Sequence, residues 1–205
     1  MSALHKPRPS ALARARRLGW LAAFALTLLH LCGAARALSL EAVTDFELPA
    51  NARLGAFVLS TAGKPVLEVT SAPFAGGRAA LEFPKTALEP RLLTQLTPES
   101  VAWNGLVGQV TVQGTPKYTE LRLYIYGDAN GSGRWDSGEK LLETAPRLGR
   151  SSVVLLYLEG AANVAADKGF AVSLTPGFSA LSIETGRTVR GTVLEKLEKL
   201  SLGAL

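Results

Sequence analysis

Oxygen-bearing side chains recur at regular intervals in one short stretch of this 205-residue chain, Asp128–Glu139. Numbered as a twelve-residue loop, the stretch has Asp, Asn and Ser at positions 1, 3 and 5, Gly at 6, Asp at 9 and Glu at 12. This is the spacing of a calcium-binding loop, in which alternate residues of a tight turn direct oxygens inward and the last glutamate contributes both carboxylate oxygens. The candidate metal-binding residues are Asp128, Asn130, Ser132, Arg134 (through its backbone carbonyl), Asp136 and Glu139.

Calcium fits this donor set because it is a hard cation that takes about six to eight oxygen ligands, whereas Mg²⁺ requires a tighter octahedron. A glycine-rich turn without an ion is the alternative, since Asp, Asn, Ser and Gly are ordinary turn residues. Turn chemistry alone does not require Asp136 and Glu139 at those offsets. The sequence therefore predicts Ca²⁺ as the cofactor, and Trp135 at position 8 is expected to face the core.

The residues on either side of the loop are not those of an EF-hand. The segment before it alternates with period two and ends at Gly127, and residues 140–145 meet Pro146 too soon for an exiting helix. The stretch 124–139 resembles the calcium loop of β-sandwich modules in bacterial surface proteins, such as the B-type repeats of staphylococcal Sdr adhesins and prealbumin-like domains. The resemblance covers 16 of the 205 residues and implies a calcium ion that stiffens a β-sandwich.

The first 37 residues have the composition of a cleaved signal peptide. They contain six of the 22 basic residues and no acidic residue, then an apolar run over 18–31, then Ala35-Arg36-Ala37. Cleavage is expected after Ala37, which predicts a secreted, periplasmic or cell-envelope protein. An uncleaved N-terminal anchor is the alternative. After the leader no stretch is long and apolar enough to predict a membrane span.

The remaining residues, 38–205, exclude several classes of site. They contain no His, Cys or Met, so a Ser-His-Asp triad, a Cys-His dyad, and zinc or haem ligation by these side chains are impossible. With 16 basic and 17 acidic residues their net charge is −1, which disfavours a nucleic-acid partner. A carboxylate-pair hydrolase or a Ser–Lys dyad stays possible, although no local pattern points to either, and we expect no enzymatic activity.

Hydrophobic alternation with period two predicts an all-β fold. Along 120–126 the odd residues Leu121, Leu123 and Ile125 are expected to face the core. Turn residues separate this strand from seven other predicted strands: 54–60, 65–70, 79–83, 106–113, 152–158, 169–174 and 180–185. Many short strands at regular spacing predict a mainly antiparallel β-sandwich, of prealbumin-like or immunoglobulin-like type.

The domain organisation has two interpretations: an N-terminal β unit over 38–98 followed by a β-sandwich unit over 99–205 that carries the calcium loop, or one domain over 38–205. Residues 86–97 could form a short helix or a linker. Residues 192–202 have leucines three apart and Glu195 four before Lys199, which favours a short helix, but an edge strand is equally possible.

The function predicted from these features is an exported calcium-binding β-sandwich that acts as a structural or binding module of the cell envelope. Its partner would be an envelope protein or polysaccharide. The alternative is a carbohydrate- or envelope-polymer-binding module that uses exposed aromatic rings. The rings considered for that surface are Tyr124, Tyr126, Trp103 and Tyr118.

Overall fold

The computed structural model describes residues 37–204, so apart from Ala37 the predicted signal peptide lies outside the described residues. The described residues belong to one compact unit, Ala35–Leu205. The boundary between 98 and 99 lies inside this unit, and a strand from the first segment pairs with a strand from the second, at 52–58 and 121–127.

The prediction of an all-β fold is confirmed. Between residues 37 and 204 the secondary structure consists of strands and three short 3₁₀ turns, at Pro90–Leu92, Pro98–Ser100 and Asp167–Gly169, without an α-helix. The strands are β1 (Ser39–Val43), β2 (Ala52–Leu59), β3 (Pro65–Pro73), β4 (Arg78–Glu82), β5 (Thr94–Gln95), β6 (Val110–Gln113), β7 (Lys117–Gly127), β8 (Leu142–Leu148), β9 (Ser151–Leu158), β10 (Ala162–Ala166), β11 (Phe170–Leu174), β12 (Gly177–Thr185), β13 (Val189–Leu194) and β14 (Lys196–Ala204).

A six-stranded antiparallel layer, β3–β2–β7–β9–β12–β13, forms the centre of the fold, and we call it the central sheet. β8 leaves this layer beside β7 and leads to β14, β1 and β4, with β1 and β14 parallel. Side chains from both groups of strands meet in the main core. Its most deeply buried large members include Leu54, Leu81, Leu123, Ile125 and Leu155.

The opposite face of the central sheet is also covered, in two different ways. A separate three-stranded sheet, β6–β10–β11, covers β9 and β12, and we call it the sheet cover. The connection from β7 to β8, residues 128–141, covers part of β2 and β7, and we call it the loop cover. Along β7 the ring of Tyr118 packs under the sheet cover, whereas Tyr124 and Tyr126 pack under the loop cover.

Residues 192–202 contain the end of β13 and most of β14, so the helical interpretation of this run is wrong. β14 contains one residue more than β1 opposite it: Leu40 pairs with Leu197, but Ala42 pairs with Leu200. Lys199 takes a left-handed conformation (φ 60°) at this bulge. The bulge turns both leucines to the core although they are three apart, which is why their spacing imitated a helix.

Residues 86–97 form neither a regular helix nor a plain linker. They contain the 3₁₀ turn at Pro90–Leu92 and the two-residue strand β5, which pairs with the start of β7. Leu92 and Leu93 face the main core, and Leu96 faces the core under the sheet cover. The segment therefore passes from one core to the other.

Candidate metal site

Asp128, the first candidate ligand, is buried at the end of β7, with 5% of its surface exposed. Its backbone N–H donates to the carbonyl of Asn51 (3.1 Å), which joins the start of the loop to the start of β2. Oδ1 accepts the N–H of Ser132 and Oδ2 accepts the N–H of Gly133, both at 2.9 Å. The carboxylate at position 1 therefore holds the turn at positions 5 and 6. Gly133 occupies that turn with φ +78°, a conformation that favours glycine.

The side chains at positions 3, 5 and 9 join the same cluster. The Ser132 N–H also donates to Asn130 Oδ1 (3.0 Å). Asp136 Oδ2 accepts from Asn130 Nδ2 (2.9 Å) and from Ser132 Oγ (2.7 Å). These two hydrogen bonds, that of Asn130 first, hold the pKa of Asp136 below its usual value. The side chains of Asn130, Ser132 and Asp136 are therefore linked by direct hydrogen bonds, and Asp128 joins this cluster through the backbone N–H groups of Ser132 and Gly133.

Arg134 presents its carbonyl to this cluster. The Arg134 carbonyl oxygen lies 2.9 Å from Ser132 Oγ and shares the single hydrogen of that hydroxyl with Asp136, while the side chain of Arg134 is exposed. In a calcium loop, position 7 contributes its backbone carbonyl, and the Arg134 carbonyl lies within this hydrogen-bonded cluster.

Glu139, at position 12, is held differently. Its Oε1 accepts the N–H of Ala129 and its Oε2 accepts the N–H of Asp136, both at 3.0 Å. The carboxylate therefore bridges the two ends of the loop through backbone amides. Across residues 37–204, no group of three or more His, Cys, Asp or Glu side chains is placed so that it could hold a metal ion. The structure thus brings the donors into one loop without forming a carboxylate cage.

Glu68 on β3 contacts the loop from outside and was missed from the sequence. Its Oε1 accepts the hydroxyl of Tyr126 (2.7 Å), and its Oε2 accepts the N–H of Trp135 (2.9 Å). Burial, followed by the hydrogen bond to Glu68, raises the pKa of Tyr126 to about 12. Ser71 on the same strand donates to the Gly133 carbonyl (3.2 Å). The one local signal was an acidic residue within the apolar run 65–69 of this strand.

Beneath the loop lies an aromatic cluster. The ring of Phe57 makes edge-to-face contacts with Tyr124, Tyr126 and Trp135, at centroid distances of 5.5, 6.4 and 6.0 Å. Gly55 leaves room for this packing, because a Cβ there would lie 2.5 Å from the Phe57 ring. Trp135 therefore faces inward, as expected.

The four rings considered as an exposed sugar-binding surface are all buried. Tyr124 and Tyr126 lie under the loop cover, and Trp103 and Tyr118 lie under the sheet cover. As the structure stands, these rings offer no stacking platform to a sugar.

A charged cleft separates the two covers. Arg122 lies between two carboxylates, with Nη2 at 3.0 Å from Glu120 and Nη1 at 3.6 Å from Glu143. Burial raises the pKa of Glu120. The cleft holds about 80 Å³, well below the roughly 300 Å³ at which small-molecule pockets begin. The cleft therefore gives no support to a hydrolase.

The chain matches no protein-family model, no curated protein and no solved structure. Within the part of the chain that the structure describes, no helix has the length and apolar character needed to cross a membrane.

Proposed function

We propose that this protein is an exported β-protein that binds one calcium ion in the Asp128–Glu139 loop and serves as a structural or binding module of the cell envelope. The observation that carries the proposal is the hydrogen-bonded cluster of Asp128, Asn130, Ser132 and Asp136, together with the Arg134 carbonyl. Oxygen ligands at this spacing are those that Ca²⁺ prefers. On the resemblance to surface modules, we also propose that the β fold is a prealbumin-like or immunoglobulin-like sandwich.

Calcium affinity is expected to be weak. Ligation by Glu139 would compete with the two backbone N–H groups that its carboxylate accepts. The strands on either side of the loop also lack the paired helices that shape a high-affinity site. We therefore expect a Kd on the order of 10⁻⁴–10⁻³ M, the range of extracellular calcium modules.

The role of the ion would be structural, because the loop covers the aromatic cluster on the central sheet. A cation shared by positions 1, 3, 5, 7, 9 and 12 would hold the loop closed over Phe57. Stiffening a surface module in this way suits attachment to an envelope protein or polysaccharide.

Export rests on the composition of residues 1–37. N-terminal sequencing of exported material is expected to begin at Leu38. An intact Met1 on that material would show that the leader is not cleaved, which would contradict a soluble exported form.

Calorimetric titration of the exported chain with CaCl₂ tests the calcium claim, with MgCl₂ as the control for cation selectivity. One calcium site is expected. Glu139→Gln should remove most of the binding, because it loses one negative charge and a bidentate ligand. Arg134→Ala should bind like the wild type, since its carbonyl is retained. If several millimolar calcium gives no binding heat and no change in melting temperature, the loop is only a turn.

A further inference from the structure

The candidate ligands of the loop are supported from a different strand, β3. Within residues 37–204, Glu68 is the acidic side chain outside the loop that hydrogen-bonds to a loop amide, that of Trp135. We propose that Glu68 is a positioning residue: it holds the Asp128–Glu139 loop on the central sheet and thereby sets the calcium affinity of the loop, without being a ligand. This inference rests on the proposed function.

The two oxygens of Glu68 reach the strand just before position 1 and the middle of the loop. Oε1 accepts from Tyr126, two residues before Asp128. Oε2 accepts the N–H of Trp135, which lies between Arg134 and Asp136. One carboxylate thus fixes the strand that leads into position 1 and the backbone that joins positions 7 and 9.

Trp135 extends this support to position 12. Its indole N–H donates to the Glu139 carbonyl at 3.0 Å. Its ring packs edge to face on Phe57 of β2. Without Glu68 the backbone of Trp135 would no longer be fixed. Its ring would then lose its fixed place on the aromatic cluster, and the indole hydrogen bond to Glu139 would be lost with it.

Residues that orient metal ligands from outside typically contribute about 10–100-fold to metal affinity. Glu68→Ala removes both acceptors, so we expect the calcium Kd to rise about 10-fold or more. Glu68→Gln keeps one carbonyl acceptor for the Trp135 N–H, and its amide can donate to the Tyr126 hydroxyl oxygen. We therefore expect Glu68→Gln to stay within about 3-fold of the wild-type Kd. Both variants lose the negative charge, but only Glu68→Gln keeps the hydrogen bonds. A difference between their calcium Kd values therefore reports positioning and not long-range attraction by charge.

The experiment is calcium titration calorimetry on the exported chain for the wild type, Glu68→Ala, Glu68→Gln and the control Glu120→Ala. Glu120 is a half-buried glutamate of β7 that pairs with Arg122 in the cleft between the covers. The proposal predicts that Glu68→Ala alone weakens binding strongly. A wild-type Kd in Glu68→Ala would overturn it, as would equal weakening in Glu68→Gln.

Hydrogen exchange of the Trp135 amide in chelator separates this proposal from the calcium claim. Glu68→Ala should expose that amide to faster exchange, while Glu120→Ala should leave it unchanged. If the wild type binds no calcium, the proposed function fails, and the predicted effect of Glu68 on calcium affinity fails with it. Faster exchange of the Trp135 amide in Glu68→Ala would still support Glu68 as the residue that positions the loop. Unchanged exchange at Trp135 in Glu68→Ala would overturn the positioning role whatever the calcium result.

Discussion

The two covers on the outer face of the central sheet differ in what holds them in place. The sheet cover contributes five buried apolar side chains, Ala162, Val164, Phe170, Val172 and Leu174, from two of its three strands. The loop cover contributes Trp135 and Leu141, both only partly buried. What it adds is a dense set of hydrogen bonds that Asp, Asn, Ser and Glu side chains make with one another and with backbone amides of the loop.

This difference predicts different responses to conditions. Fully burying an apolar side chain contributes about 1.5–3 kcal/mol, and this stabilisation requires no ligand. A typical intramolecular hydrogen bond contributes about 0.5–1.5 kcal/mol net, while ordering a residue's backbone costs about 1–2 kcal/mol. The sheet cover should therefore be stable by itself, whereas the loop cover should depend on an ion or on its contacts with β3.

The largest effect is expected in the sheet cover. Phe170 is buried, and its ring lies against Gly191 of β13, where an added Cβ would come within 2.6 Å of it. Phe170→Ala should lower the free energy of unfolding by about 3–5 kcal/mol, the usual cost of removing a buried phenylalanine ring. Urea denaturation with and without calcium measures this, and the loss should be equal in both. A loss that calcium largely restores would contradict the comparison.

The corresponding change in the loop cover should cost less and should alter the response to calcium. Trp135→Ala removes a half-buried ring from Phe57 and the indole hydrogen bond to the Glu139 carbonyl. We expect a loss of about 2 kcal/mol in the free energy of unfolding, roughly half the cost of a buried ring. In the same denaturation series, calcium should stabilise this variant less than the wild type. An undiminished calcium effect would mean that Trp135 is not part of the site.

Calcium itself should have a smaller effect. At a free calcium concentration about ten times Kd, binding should stabilise the fold by about 1.4 kcal/mol. For a domain of this size this corresponds to a rise of roughly 3–6 °C in melting temperature. Calorimetric melting measures it, and Asp128→Ala and Glu139→Gln should remove most of the rise. A rise of the same size in Glu139→Gln would place the ion elsewhere.

The smallest effect is expected for Arg134→Ala. The Arg134 side chain is exposed, and the contribution of this residue to the cluster is its backbone carbonyl. Exposed substitutions of this kind usually change stability by less than about 0.5 kcal/mol. Melting curves with and without calcium should superimpose on those of the wild type. A lost calcium response would show that the side chain takes part.

Period-two alternation was sufficient to predict β7, and β9 was predicted from its run of β-branched and aliphatic residues. Three of the strands that were not predicted lack both signals, whereas β1, which was also missed, does alternate. β8 contains Pro146, and β10 is a run of small residues with one large apolar side chain, Val164. In β14 the bulge at Lys199 interrupts the period-two alternation. In each case the partner strand determines the conformation, and that partner is distant in sequence.

In the site, too, local features could be predicted and contacts between distant parts of the chain could not. That the oxygen-bearing side chains from Asp128 to Glu139 lie in one loop could be predicted, because the loop is local and the spacing of these residues is read directly from the sequence; their role as ligands stays a prediction. Glu68 could not, because its hydrogen bonds span 58 residues to Tyr126 and 67 residues to Trp135. Packing of Tyr124 and Tyr126 under a second sheet or a loop was the favoured expectation, but the loop that folds back over its own strand to cover them could not be identified from the sequence.

Hydrogen exchange across both covers, measured in calcium and in chelator, tests most directly the claim that the loop cover is the calcium-dependent half of this surface. The account predicts that calcium slows exchange of the amides of Ser132, Gly133 and Trp135, and leaves those of β10 and β11 unchanged. Equal exchange in calcium and chelator at the three loop amides would contradict it. So would a calcium effect as large in β10 and β11 as in the loop.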